Sequence, residues 1–367
     1  MSDNLTRESS ATPVEVSVVI PMRNAARTVS YQLAALASQD YDGSWEVVLS
    51  DNGSEDDSVA VAAASSDRLS AVRVVDAAGP GGAARARNVG VQASSGECII
   101  FLDADDLLDP TTASRAVAAL ERDPEVARIQ WRLRVIGPDG EETSDTFPPA
   151  GWTLPDGDLR RHILERRTYV WPPTSGNAYP RPVLDLVFSA IKEDETPLID
   201  LILAETTPLI GPVVTLSGEG GSYRWHGGNF SENARRDLVG YLHDRVNETV
   251  DNHRIVGRVC DLLDIEGFPP DPTTALDWAF AGYRLSSLRV DPASHPLSED
   301  TRASVTWHGI RSVLTQPNYS VTAKGKRALW FAALAVASAS SVRGLIERAY
   351  LAPPTEPTFT AVSGARH

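Results

Sequence analysis

The stretch Cys98-Ile99-Ile100-Phe101-Leu102-Asp103-Ala104-Asp105-Asp106 decides the fold. Five apolar residues in unbroken succession read as a strand buried on both faces, the pattern of a central strand in a largely parallel sheet. The change to three aspartates around Ala104 ends that strand in a polar turn. Upstream, Val14–Ile20, Trp45–Leu49 and Ala71–Val75 read as three further strands. They close on Pro21-Met22-Arg23-Asn24, on Ser50-Asp51-Asn52-Gly53-Ser54 and on Asp76-Ala77-Ala78-Gly79. Helical stretches separate them, so residues 14–120 form βαβ units. Ligands of open α/β sheets bind outside the carboxyl ends of the strands, so the four loops converge on one crevice.

Downstream, Val126–Thr146 reads as a strand pair turning at Gly137-Pro138-Asp139-Gly140. Proline and glycine are then frequent through Phe147–Pro182, a crossover where an acceptor-side surface begins. Beyond Ser231 the pattern becomes helical, near Ala234–Val256, Thr273–Leu288 and Lys324–Tyr350. The expected organisation is a flexible N-terminus (1–13), an α/β catalytic domain (14–231), a smaller helical C-terminal domain (232–352) and a disordered tail (353–367).

The 367 residues carry 34 Lys and Arg against 49 Asp and Glu, a formal charge of -15. Such a balance argues against nucleic acid, whose binding rests on phosphate neutralisation. A phosphate-bearing ligand must then be met locally, by arginines or by a cation. Two cysteines are too few for a disulfide framework, and Cys98 inside its apolar run reads as a small hydrophobe. The first 13 residues lack the basic start and apolar core of a secretory signal, so the expected location is cytoplasmic.

Asp103 and Asp105, two apart just past a buried strand, suit a hard divalent cation that keeps water and phosphate ligands. They also suit the acidic first turn of a helix beginning near Pro110. Asp51, ending the second strand, offers an acceptor to a base N–H or a ribose hydroxyl; Ser54 and Asp56 read as caps of the next helix. Gly79-Pro80-Gly81-Gly82-Ala83-Ala84 imitates a dinucleotide fingerprint, but it follows the third strand and Pro80 removes an amide. Arg85, Arg87 and Asn88 beside it answer the anion problem better.

Taken in order, Val16–Pro21 with Asn24, Val47–Asp56, Gly81-Gly82 through Ala86-Arg87-Asn88-Val89-Gly90, and Phe101–Asp106 resemble the motifs of family 2 glycosyltransferases. The likeness continues more loosely through Pro173–Tyr179 and ends at Tyr223–Asn229. It implies a GT-A fold, a Rossmann-like mixed sheet flanked by helices, and a donor that is a nucleotide-diphosphate sugar. It also implies Mn2+ or Mg2+, and an acceptor hydroxyl on a glycan or a lipid-linked carrier in cell-surface polysaccharide or glycoconjugate synthesis. By that likeness Pro21, Arg23, Asn24, Asp51, Arg87, Asp103 and Ala104 line the nucleotide sugar, and Asp105 coordinates the cation. Arg23 replaces the aromatic or small residue usual there, and its guanidinium plane can stack on a base. Inverting members use an acceptor-side carboxylate as base, and the matching residue is Asp200, with Glu193, Asp194 and Glu195 as upstream rivals. All four also suit first-turn acids favoured by a helix dipole. His226 reads either as a third metal ligand or diphosphate contact, or as a core histidine.

Residues 324–350 carry a basic start, Trp330-Phe331 and an apolar middle too short to span a bilayer. They suit an interfacial helix that brings the chain to the inner face of a membrane, and equally a helix docked on the domain. Two other readings are a nicotinamide-dependent oxidoreductase using Gly79–Ala84 and a non-catalytic glycan-binding protein.

Overall fold

The computed structural model describes residues 16–65, 69, 71–167, 169–192, 195, 197–225, 237–316 and 319–350. His226, Glu193, Asp194, the first 13 residues and the tail lie outside the described residues. Four parallel strands come first: β1 (Val16–Met22), β2 (Trp45–Asp51), β3 (Val72–Asp76) and β4 (Cys98–Phe101). β5 (Leu107–Leu108), β6 (Arg128–Ile136), β7 (Glu142–Phe147), β8 (Asn177–Pro180) and β9 (Val213–Arg224) follow. Among the described residues they make one nine-stranded sheet in the order β3-β2-β1-β4-β8-β6-β9-β5, with β7 pairing the second half of β6 off that path.

β1 pairs in parallel with both β2 and β4, Val18 facing Val47 on one side and Ile100 on the other. Beyond β4 the sheet turns antiparallel through β8, and β6 and β7 form the expected hairpin. Alternation divides the core. Val18, Ile20, Val47, Leu49 and Ile100 point into one cluster, whereas Val19, Ile99 and Phe101 point into another. Cys98 is buried among these residues and its thiol is pushed up to about 12 by burial, as a small hydrophobe should be.

Helices α1 (Val29–Leu36), α2 (Ser58–Ser65), α3 (Gly82–Ala93) and α4 (Thr112–Arg122) are the crossovers. α3 lies close on the sheet because Gly90 has no side chain: a Cβ there would stand 2.4 Å from Val19 Cγ1 and 3.0 Å from Ser50 Oγ. α5 (Arg160–Arg166), α6 (Arg181–Ser189) and α7 (Ile199–Ile210) cover the second cluster.

Among the described residues five helices follow: α8 (Leu238–Leu262), α9 (Trp278–Val290), α10 (Arg302–Leu314), α11 (Val321–Val336) and α12 (Ala339–Tyr350). They enclose a third core around Trp278, Phe280, Phe331 and Tyr350. α8 belongs to two cores, giving Leu238, Leu242 and Val246 to the third and Ile255, Val256 and Val259 to the second. α10 has no counterpart among the sequence expectations; its start is a capping box between Thr301 and Ser304. The single helix expected over 324–350 is two, parted at Ala337 and Ser338. Phe331 does not face outward as an interfacial anchor would, and Trp330 is only half-exposed. Phe331 is fully buried and Trp330 packs against it and Tyr350.

Candidate active site

The first two loops are built as one unit. Asn24 turns the chain at φ 51°, a conformation asparagine tolerates better than most residues. Its amide donates to Ser54 Oγ at 3.0 Å, and its Oδ1 accepts from the Glu55 amide at 2.9 Å. Ser54 Oγ in turn donates to Asp51 Oδ1 at 2.6 Å, while the Ala25 amide donates to Ser58 Oγ at 2.7 Å. The Asp51 carboxylate thus braces the loop that carries Pro21, Arg23 and Asn24, and it is the neighbouring Asn52 that lines the crevice.

The aspartate turn is held from several directions. Thr28 Oγ1 donates to the Ala104 carbonyl at 2.8 Å, and Gln32 Nε2 donates to the Asp103 carbonyl. The Asp103 amide donates to Ser175 Oγ at 3.0 Å, whose hydroxyl passes on to Asp106 Oδ2. Arg224 closes the circuit, donating from its amide to Asp106 Oδ1 and from Nε to the Asp105 carbonyl, each at 2.9 Å. Asp106 is buried, and its carboxyl lies well above the usual range, first through burial and then through the charges of Asp105 and Asp103. Asp105 is left at the cleft wall.

Arg87 joins this turn to the acceptor side. Its buried Nη2 lies 2.6 Å from Asp103 Oδ1, 3.2 Å from Thr174 Oγ1 and 3.9 Å from Asp200 Oδ1. Thr174 Oγ1 donates to Asp200 Oδ1 in a short hydrogen bond. Burial pulls the Arg87 pKa down, and Asp103 and Asp200 more than reverse this, leaving it raised. The sequence suggested phosphate pairing for Arg87; in the structure its guanidinium edge is engaged by two carboxylates. Asp200 opens the first turn of α7, and Thr174 and Ser175 lie in a single turn of 3-10 helix, Thr174–Gly176. Neither hydroxyl had a role from the sequence, although the segment that contains them was matched.

These elements surround a cleft of about 900 Å³. Pro21, Arg23, Asn24, Arg87, Asp103, Ala104 and Asp105 line it; Asp51 and Asp200 are not among its lining residues. Sequence reading missed Arg27, Tyr31, the β6–β7 turn Pro138–Gly140, and Arg224. Arg27 and Tyr31 are four apart across the start of α1, so helical spacing was the available signal. The Gly79–Ala84 segment follows β3, the edge strand, whereas a dinucleotide fingerprint follows the central first strand.

The donor set fits a divalent cation. Burial raises Asp106 and the nearby charges of Asp105 and Asp103 add to it, and Asp105 faces the cleft. One or two carboxylates suffice for a hard ion that completes its shell with water and phosphate oxygens. Among the described residues no group of three or more His, Cys, Asp and Glu side chains could hold a metal.

Residues 17–180 match the family model described as Glycosyl transferase family 2. The chain is 32% identical over 222 residues to an uncharacterized glycosyltransferase of Nostoc sp., covering 59% of this chain and 66% of that protein. It is 30% identical over 154 residues to an O-antigen biosynthesis protein of Myxococcus xanthus, covering 41% and 12%. It therefore spans less than two thirds of the length of these relatives. In structure it is similar to S. aureus TarS 1-349, solved in complex with UDP, with a TM-score of 0.51 at 14% identity over 95% of this chain and 99% of that one. At that identity the likeness speaks for the fold.

Proposed function

Because the chain belongs to glycosyl transferase family 2 and has the GT-A fold, we propose that it transfers a sugar from a nucleotide-diphosphate donor to an acceptor hydroxyl, with inversion at the anomeric carbon. The observation that carries this reading is the cleft itself, in which Asp105, Arg23 and Arg27 face one volume and Arg87 links the cleft to Asp200.

In this mechanism the nucleoside lies against the first two loops, whose geometry Asp51 and Ser54 maintain. Arg23 and Arg27 offset the diphosphate charge locally, as the overall charge of -15 requires. Mn2+ or Mg2+, held by Asp105 with Asp103 beside it, would supply further neutralisation of the leaving diphosphate. Asp200 takes the proton from the acceptor hydroxyl as that oxygen bonds to the anomeric carbon and the bond to the diphosphate oxygen breaks. Thr174 and Arg87 fix which carboxylate oxygen is available to do so. His226 is proposed as a further metal or diphosphate contact. Residues 14–231 form the catalytic part and 232–352 its helical companion.

The acceptor is proposed to be a glycan or a lipid-linked carrier at the inner face of a membrane, in polysaccharide or glycoconjugate synthesis. The name of the O-antigen relative supports that setting. The test is hydrolysis of a panel of nucleotide sugars with Mn2+, with Mg2+ and with a chelator. Turnover of one donor that the chelator abolishes supports the reading, and inertness toward every donor under all three conditions overturns it.

A further inference from the structure

The C-terminal helices differ in charge from the rest of the molecule. Residues 302–350 hold Arg302, Arg311, Lys324, Lys326, Arg327, Arg343 and Arg348 against the single acid Glu347, a formal charge of +6 in a chain of -15. Not all of these cations face solvent. The Arg327 guanidinium lies 4.5 Å over the Tyr319 ring and 5.2 Å over Trp278, and Arg343 pairs with Glu347. Arg302, Arg311, Lys326 and Arg348 are exposed.

The same helices hold most of the large apolar side chains left in water among the described residues. Trp307 is 69% exposed, Leu314 52%, Leu329 70% and Val336 85%, and Val321 is exposed as well. They are arranged in stripes. On α10, Trp307, Arg311 and Leu314 follow at i, i+4 and i+7, while Val305, Gly309 and Val313 are buried. On α11, Lys326, Leu329 and Val336 are exposed, while Phe331 and Leu334 are buried. The two helices pack against each other at Gly309, where the Phe331 ring occupies the space of a side chain, at 2.2 Å from the position of a Cβ. Neither stripe is needed for the internal core, which is filled from the opposite faces.

We infer that α10 and α11 present a surface that binds an anionic lipid bilayer peripherally. Apolar side chains interleaved with cations are what an acyl and headgroup boundary accepts, and each exposed cation gains from a negative lipid surface. The acidic remainder of the chain does not cancel this, because salt screens charges beyond about 8 Å at physiological ionic strength. Among the described residues no helix is long and apolar enough to cross a membrane, so attachment would be at the surface. The residues concerned are not Trp330 and Phe331: Phe331 is buried and Trp330 is half-buried against it and Tyr350. The inference goes beyond the transferase reading and does not depend on it.

The test uses the full chain with vesicles of phosphatidylcholine alone and of phosphatidylcholine mixed equally with phosphatidylglycerol, with no donor added. Wild type should co-sediment with the anionic vesicles only, and less so as salt is raised. The pair Leu329→Glu and Val336→Glu should lower partition by roughly tenfold or more, as should Arg311→Glu with Lys326→Glu. Circular dichroism and donor hydrolysis of these variants should match wild type. No binding to anionic vesicles, or binding that neither pair of substitutions changes, overturns the inference. So does self-association without vesicles that the same substitutions abolish, since the stripes would then meet a second copy.

Discussion

The buried Arg87 guanidinium donates to the Asp103 carboxylate at 2.6 Å, so the aspartate turn at the cleft shares its charge balance with α3, the helix packed on β1 and β2. Both side chains are almost completely buried. Removing one partner of such a pair strands the other charge, at a cost of about 3–5 kcal/mol. Arg87→Ala should therefore lower stability in urea by that order and abolish transfer. Arg87→Lys keeps the charge but not the planar edge that reaches Thr174 and Asp200, and should recover stability more than turnover.

Thr174 predicts a different signature. Its hydroxyl accepts from Arg87 and donates to Asp200, so in the proposed reaction it acts through the base and not on substrate. Thr174→Val should lower kcat by roughly tenfold to a hundredfold, the size of one lost orienting hydrogen bond, with donor KM unchanged. Thr174→Ser should restore it. Steady-state kinetics of the two variants check this; an equal loss in both would assign Thr174 to packing alone.

Asp106 gives a pH dependence. Its carboxyl is raised in the folded state, so the folded chain holds that proton more tightly than the unfolded one does. Its contribution to stability is then greatest at low pH and falls as pH rises from the ordinary carboxylate range toward the raised value. Asp106→Asn removes the titration, so stability relative to wild type should improve between pH 4 and pH 8, measured as a difference in Tm at the two ends.

Gly90 predicts a packing cost. A methyl there must displace Val19 and Ser50 or lift α3 from the sheet. Gly90→Ala should cost about 1–3 kcal/mol, and because Arg87 is on the same helix, turnover should fall with it. Thermal unfolding and donor hydrolysis measured together check both.

Much of this was legible in the sequence, for physical reasons. Unbroken apolar runs such as Val18–Ile20 and Cys98–Phe101 are readable because burial on both faces leaves no room for polar residues. The four loops were readable because turn chemistry is local. What the sequence hid were side-chain partnerships made across the fold. The sequence offers Arg87 as a phosphate partner but does not show that Asp103 and Thr174, at sequence separations of 16 and 87, are brought beside it. It offers Asp51 as a ligand acceptor but does not show that the Ser54 hydroxyl turns back on it. Trp330 and Phe331 read as a membrane anchor because periodicity does not tell which face of a helix its neighbours take. α10 escaped notice because its start is set by Thr301 and Ser304, a capping box lacking the usual acid.

The central claim is that one side of the molecule binds the donor and the other removes the acceptor's proton. Donor binding and sugar transfer measured side by side for Asp105→Ala and Asp200→Asn test it most directly. Asp105→Ala should weaken donor binding in the presence of Mn2+, whereas Asp200→Asn should bind donor as wild type does and fail to transfer. Transfer by Asp200→Asn at the wild-type rate, or donor binding by Asp105→Ala unchanged with metal present, would contradict the account.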